Sequence, residues 1–244
     1  MPPGSPLLTG DLLVIVPSRG RPGNLGRLLA AVHATSTAVT HVAVAVDDDD
    51  PDLTAYETVM AEHGGDGDWL THGPRDGLIG WTNAVALPQA SEYKALASFG
   101  DDHLPRTKGW DTALLRAIKD MGGTGISFPW DGMREDVPEA PVVSSDIVQA
   151  LGWLLNPACK HYYGDDTLGT LGRQAGCLRH LRAVWVEHIH PGTGHNVGDR
   201  TYSDSAANIA ADKAAYQQWR QHQMATDVAT IRALQEQALQ PAGT

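Results

Sequence analysis

Cysteine is scarce in this chain. Cys159 and Cys177 are the only two among 244 residues and form no C-x-x-C pair, so neither a disulfide framework nor a thiolate zinc site organises the fold. Long apolar runs are missing as well: the longest reach about five residues, against the roughly 18–20 that a membrane span requires. Cationic side chains are outnumbered, with 18 Lys and Arg against 29 Asp and Glu and a formal net charge of −11. That balance disfavours sequence-independent binding along duplex DNA. The opening MPPGSPLLTGD has no basic flank ahead of an apolar stretch, so a secretory leader is not expected and the protein reads as soluble and cytoplasmic. Two phosphate-binding signatures are absent too. There is no Walker A sequence and no G-x-G-x-x-G, since Gly169–Gly172 and Gly192–Gly194 lack the spacing and the preceding strand; ATPase and Rossmann-dehydrogenase readings drop out.

What is present is alternation, over a length that suits one sizeable α/β domain. Leu12–Val16 and His41–Val46 are continuous apolar runs, the mark of strands covered on both faces. Tyr93–Phe99, Gly125–Phe128 and Ala183–Ile189 read as further strands. Helical periodicity runs from about Asn24, then over Leu53–His63, Gly77–Leu87 and Lys108–Met121, with a Gly/Asp turn at 64–68. Asp165 is placed to cap a helix ending near Gly176. Residues 129–145 hold three prolines and little periodicity, the pattern of an ordered loop over a site. From about Ser203 the chain turns Ala/Gln-rich and helical, with Trp219, Ile231 and Leu234 as packing contacts. The expectation is a lead-in over 1–10, one domain over 11–205 and a C-terminal helical extension packed on it over 206–244. The fold class expected is α/β, a single mostly parallel central sheet flanked by helices with right-handed crossovers.

In an open parallel sheet, ligands bind beyond the C-terminal ends of the strands. Three strands here end in polar clusters: Ser18-Arg19-Gly20-Arg21, Asp47 to Asp50, and Asp101-Asp102-His103. All three are expected along one edge. The last is a hard, oxygen-rich group suited to Mg²⁺ or Mn²⁺, which can bridge the phosphates of a nucleoside diphosphate; as a plain turn it would only cap the helix after Pro105. A carboxylate of the acidic run, Asp47 or Asp48, suits a base or ribose, and an EF-hand is excluded because no Gly stands at its sixth position and no Glu closes it. Arg19 and Arg21 offer planar bidentate donors to phosphate. His188 and His190 flank Ile189, so on an extended strand both project to one face as candidate metal ligands. At a helix N-terminus the dipole favours an ionised Asp165 or Asp166, and such a carboxylate can act as a base.

The order of these pieces resembles the GT-A-fold nucleotide-sugar glycosyltransferases, particularly small family 2-like members of phage and bacterial genomes. The segments are VIVPSRGRPGNLGRLL at 14–29, VAVDDDDPD at 44–52, GLIGWTNAVA at 77–86, FGDDHLPRTKGWD at 99–111, YYGDDTLGTLGRQAG at 162–176 and VEHIHP at 186–191. The resemblance implies a nucleotide-binding N-terminal half and an acceptor-side C-terminal half. It implies a nucleotide pocket lined by Pro17, Ser18 and Arg19, with Asp47 or a neighbour on the base or ribose and Asn83 beside the nucleotide. Asp101-Asp102-His103 stands where the family has its D-x-D metal motif, with His in the third position. Either Asp101 with His103 forms the pair, or Asp102 is the main ligand. His188 or His190 matches a late histidine that completes the metal site in some members, and Asp165 or Asp166 matches the base.

The implied reaction is sugar transfer from a nucleotide-diphosphate sugar to an acceptor hydroxyl, by direct displacement with inversion and with Mn²⁺ or Mg²⁺ as cofactor. The acceptor is left open among a glycan, a protein side chain, a small molecule and a hydroxylated DNA base, as are the transferred hexose or pentose and the oligomeric state. Trp81, Trp130 and Trp153 are candidates for stacking on sugar faces as well as for the core. Three other readings stand beside it. A nucleotidyltransferase would want a Lys after its Gly-rich loop, which SRGRPGN lacks. A metal-dependent hydrolase would want more clustered histidines, and an inactive sugar- or nucleotide-binding module would have less reason to keep Asp101-Asp102-His103, Gly164-Asp165-Asp166 and His188-Ile189-His190 together.

Overall fold

The two continuous apolar runs at the start of the chain form the middle of one half of a sheet. The computed structural model describes residues 8–189 and 207–239. In chain order the elements are β1 (Gly10–Ser18), α1 (Pro22–Thr35), β2 (Thr40–Asp47), α2 (Leu53–His63), β3 (Trp69–Gly73), α3 (Gly77–Gln89), β4 (Tyr93–Ser98) and β5 (His103–Pro105). Then come α4 (Trp110–Asp120), β6 (Ile126–Trp130), β7 (Val142–Ser144), α5 (Ser145–Leu151), α6 (Gly164–Ala175), β8 (Leu178–His188), α7 (Ile209–His222) and α8 (Met224–Leu239).

One eight-stranded sheet has the order β3-β2-β1-β4-β7-β6-β8-β5. Its first half is parallel, β1 pairing with β2 and β4, and β2 with β3. In the second half β7 runs antiparallel to β4 and β6, β6 and β8 are parallel, and β5 closes the edge antiparallel to β8. Every residue from Leu12 to Val16 is fully buried. Leu13 and Ile15 join the core beneath α3, α5 and α6, whereas Leu12, Val14 and Val16 join the core beneath α1 and α4. Burial on both faces is why no polar residue interrupts this run.

Several elements differ from what periodicity suggests. β3 is an edge strand with half-exposed side chains, so it carries no continuous apolar signal. β5 and β7 span three residues each, too few for a period of two. The anticipated loop at 129–145 therefore contains a strand, and α5 follows it. β8 starts at Leu178 rather than Ala183, because its first residues, Leu178-Arg179-His180-Leu181-Arg182, mix apolar and basic side chains instead of forming an apolar run. Asp165 does not cap α6. The capping position is Tyr163, in the left-handed region at φ 67°, and Asp165 lies in the first turn.

The C-terminal helices share the main core. Trp219 of α7 and Val228 and Ile231 of α8 are buried in the same cluster as Leu13 and Ile15, with Leu234 packed against it. Fully buried aliphatic side chains typically cost about 2–5 kcal/mol when cut back to Ala. Ile231→Ala should lower the unfolding free energy by about that amount in urea titration; a change within about 0.5 kcal/mol would show that α8 does not contribute to the core.

Candidate active site

Three strand ends meet at one edge of the sheet. Ser18 Oγ donates to Asp101 Oδ2 at 2.6 Å, so it receives its own hydrogen bond from the Tyr56 hydroxyl at 2.8 Å, and that hydroxyl accepts the Arg21 backbone N–H at 2.8 Å. Asp101 Oδ1 takes Asn24 Nδ2 at 3.3 Å and the Arg21 guanidinium at 3.4 Å. Burial, reinforced by the adjacent Asp102, pushes Asp101 up to about 6. Asp101 thus braces the turn after β1 from beneath. Arg19 reaches the opposite way, to Asp47 at 2.9 Å and Asp49 at 2.6 Å. The other Asp47 oxygen accepts the Trp81 indole N–H at 2.7 Å, and Arg75 approaches to 3.9 Å. Asp48 is exposed beside His72 at 2.6 Å, and Asp50 accepts the Gly20 N–H at 2.8 Å. Pro17 is half-buried within β1.

The second cluster sits beside the first. His103 opens β5 and lies opposite His188 of β8 in the antiparallel register, their rings stacked at 4.1 Å. One ligand atom from each of Asp102, His103 and His188 lies within 4.8 Å of the other two. His188 is bracketed by carboxylates, Nδ1 at 2.9 Å from Glu139 and Nε2 at 3.5 Å from Asp102. Burial opposes charge on this ring, but the two carboxylates outweigh it and lift it to about 9. Burial likewise works against an ionised Glu139, yet His188 holds it below the ordinary glutamate value. His103 Nδ1 accepts the Gly100 N–H at 2.8 Å, which leaves the neutral ring's proton on Nε2, buried without a partner among the described residues. Burial, then the His188 charge, push His103 down to about 4.

This donor set fits a divalent cation of intermediate hardness such as Mn²⁺. Asp102 supplies a carboxylate, and Glu139 anchors the far nitrogen of His188, the outer-shell contact that fixes a metal-binding tautomer. His103 reaches the same space but joins it only by giving up its bond from Gly100. His190 lies outside the described residues.

The loop between β6 and β7 connects this cluster to the start of α6. Glu139 faces His188, while Arg134 lies 3.9 Å from Asp166 and the backbone carbonyl of Asp131 accepts the His188 N–H at 3.1 Å. Burial, followed by the charge of Asp166, pushes Asp165 up to about 7; burial also raises Asp166, moderated by Arg134. Two brackets hold the turn that leads into α6. Asp212 of α7 is buried and accepts the backbone N–H groups of Lys160, His161 and Tyr162, each at 2.9 Å. Asn83 accepts from the N–H groups of Leu154 at 2.8 Å and Leu155 at 3.0 Å and donates to the Leu155 carbonyl at 2.7 Å. The Asn83 amide is thus committed to the segment that packs against Gly164.

No family model matches the chain, and no curated protein sequence matches it. Solved structures do. The mannosyltransferase PcManGT from Pyrobaculum calidifontis, in complex with GDP-Man and Mn²⁺, aligns with a TM-score of 0.64 and 13% identity over 99% of this chain and 78% of its own. S. aureus TarS 1-349 in complex with UDP-GlcNAc aligns at 0.59 and 13% identity over 79% of this chain and 61% of its own, and its UDP complex at 0.57 and 12% over 94% and 69%. The fold is GT-A-like. This GT-A-like chain spans less than two thirds of the TarS 1-349 chain in the UDP-GlcNAc complex, and none of its described helices is long and apolar enough to cross a membrane.

Within the GT-A-like sheet, Ser18, Arg21, Asp101, Asp102, His103 and His188 form one cluster, and Arg19 and Asp47 a second beside it. Sequence reasoning missed Glu139, Arg134, Tyr56 and Asp212. Glu139 and Arg134 fall in the segment expected to overlie a site, which is the one signal that pointed to them. Asp212 sits in an Ala-rich helix and binds backbone, so nothing in its neighbourhood marks it. Gly100 is required by close approach, because a Cβ there would fall 2.5 Å from Asp102 Oδ1 and 3.0 Å from His103 Nδ1. Gly100→Ala should leave the fold intact and weaken Mn²⁺ binding at least tenfold in calorimetric titration; unchanged affinity would show that the fold-back of Asp102 and His103 onto Gly100 is dispensable.

Proposed function

We propose that the protein is a metal-dependent glycosyltransferase that moves a sugar from a nucleotide-diphosphate sugar to an acceptor hydroxyl with inversion. The observation that carries this reading is the Asp102–His188–Glu139 arrangement at the strand ends of a GT-A-like sheet, with Arg21 beside it and the Asp165–Asp166 pair linked through one loop. The GDP-Man and Mn²⁺ of PcManGT and the UDP-GlcNAc of TarS support a nucleotide-sugar donor here. Asp102 and His188 would hold Mn²⁺ or Mg²⁺, which supplies counter-charge for a diphosphate leaving group.

The chain's own residues account for the rest. Arg21, and Arg19 with Arg75 at the rim, place positive charge beside the strand ends where the diphosphate would sit. Charge that grows on the departing diphosphate is stabilised by donors already fixed in place, the largest share of catalysis in such transfers. An ionised carboxylate of the Asp165–Asp166 pair takes the proton of the acceptor hydroxyl. Arg134 and the brackets from Asn83 and Asp212 hold that pair in line with the donor.

Two experiments test the reading. In thermal-shift assays, one nucleoside diphosphate should stabilise the protein with Mn²⁺ and not with EDTA; occupancy at about 100 times Kd corresponds to about 2.7 kcal/mol. Asp102→Ala should abolish that shift, whereas the Asp165→Asn, Asp166→Asn double variant should keep it and lose transfer by at least a hundredfold. Transfer near wild type in the double variant would remove these residues from the base role.

The pH profile separates the two aspartates. A carboxyl raised to about 7 holds its proton below that pH and accepts none, so with Asp165 as the base transfer should rise as pH increases through about 7. If Asp165 is the base, Asp165→Asn removes activity. If Asp166 is the base, Asp165 is still protonated while Asp166 titrates, so Asp165→Asn leaves both the activity and the position of the rise essentially in place.

A further inference from the structure

Strands β6 and β8 carry a row of aromatic rings beside α6, buried at Phe128 and exposed at Trp185. Phe128 of β6 stacks on His180 of β8 at 4.5 Å with only 4° between the planes, and Trp130 lies 6.3 Å from His180. Trp130 is in register with Trp185 across the β6–β8 pairing, so their side chains leave the sheet on the same side. Trp185 is 45% exposed, the most open aromatic ring among the exposed large hydrophobic residues. At the far end of the row, Phe128, Leu178 and His180 line an open cavity of about 410 Å³, together with Arg173 and with Glu135 and Asp136 of the same loop that carries Arg134 and Glu139. The row therefore runs from this cavity to Trp130, whose neighbour Asp131 bonds the His188 backbone.

Two features indicate what such a surface receives. None of the described residues accepts the Trp130 or the Trp185 indole N–H, so the row offers these donors alongside its ring faces, and His180 Nε2 is buried behind them with no partner among the described residues. The flanking cations are already matched. Arg182 pairs with Glu135 at 2.6 Å, Arg106 with Glu187 at 2.5 Å, and Arg134 with Asp136 at 3.4 Å, while Arg173 donates to the Asp136 carbonyl at 2.5 Å. A polyanion would meet three carboxylates beside the four guanidiniums here, each guanidinium already bonded. Flat apolar rings beside paired charges and open donors complement an uncharged ligand with apolar faces and hydroxyl edges.

We propose that this row is a binding track for an uncharged oligosaccharide, the acceptor of the transfer, with sugar rings stacked on Trp185 and Trp130 and the chain continuing into the Phe128–His180 cavity. The assignment of the ligand as acceptor rests on the glycosyltransferase reading; the track itself does not.

The test uses the full chain and neutral gluco-, manno- and N-acetylglucosamine oligomers, with a single-stranded oligonucleotide as the anionic probe. Binding is followed by tryptophan fluorescence and saturation-transfer NMR. At least one oligomer should bind, Trp185→Ala and His180→Ala should each weaken it by about three- to tenfold, and the oligonucleotide should not compete. No bound oligomer, binding indifferent to both substitutions, or displacement by the oligonucleotide would overturn the track. The Mn²⁺-dependent shift with nucleoside diphosphates, recorded on the same samples, keeps the two readings apart. If it persists without oligomer binding, only the track fails. If it is missing while an oligomer binds through Trp185, the transferase reading fails and the track stands.

Discussion

Asp101 and Asp102 are adjacent carboxylates buried at the end of β4, and much of the surrounding arrangement follows from neutralising them. Unpaired buried carboxylates cost several kcal/mol each, and two side by side resist joint ionisation. Their partners come from different parts of the chain. Ser18 arrives at the end of β1, Asn24 from α1, Arg21 from the turn between them, and His188 from β8. Meeting this one electrostatic demand therefore ties the parallel half of the sheet to the mixed half. Glu139 extends the alternation of charge by one more step, acid to base to acid.

The same demand makes the site preorganised. Arg21 is held by its backbone bond to Tyr56 and by the carboxylates it faces, so its charge has a fixed place in the cluster. Asp165 and Asp166 are fixed less by their own contacts than by their surroundings. Asp212 clamps three successive backbone N–H groups ahead of α6, and Asn83 fastens the segment beneath Gly164. Groups that act on a reacting atom need such support, because small displacements of a base or donor cost rate steeply. The β6–β7 loop is the common element, touching the metal-fitting cluster through Glu139, the α6 aspartates through Arg134 and the aromatic face through Glu135 and Asp136.

Much of the fold is legible in the amino-acid sequence because buried parallel strands must be apolar on both faces. Leu12–Val16 and His41–Val46 mark the sheet, and the rule that ligands bind at strand ends brings Ser18, Arg21, Asp47, Asp101 and Asp102 to one edge. The weak points share a cause. β3 lies at an edge, β5 and β7 are three residues long, and the first half of β8 mixes apolar and basic residues without a period; each is held by hydrogen bonds to neighbouring strands rather than by a pattern of its own. Asn83 illustrates the converse. Its residue type suits a ligand, but partners 71 and 72 positions away in the chain occupy its amide.

The amino-acid sequence alone determined the strand–helix alternation, the absence of a thiolate site and the candidate residues at the strand ends, since these depend on local periodicity and residue type. Only the tertiary structure decided what each of those candidates does. It set Asp101 to brace a turn, His188 between two carboxylates, His103 against Gly100, and Asp212 under a helix far from it in sequence. The reason is physical: a hydrogen bond or ion pair depends on distances of about 3–4 Å between groups brought together by packing, and no spacing along the chain encodes those distances.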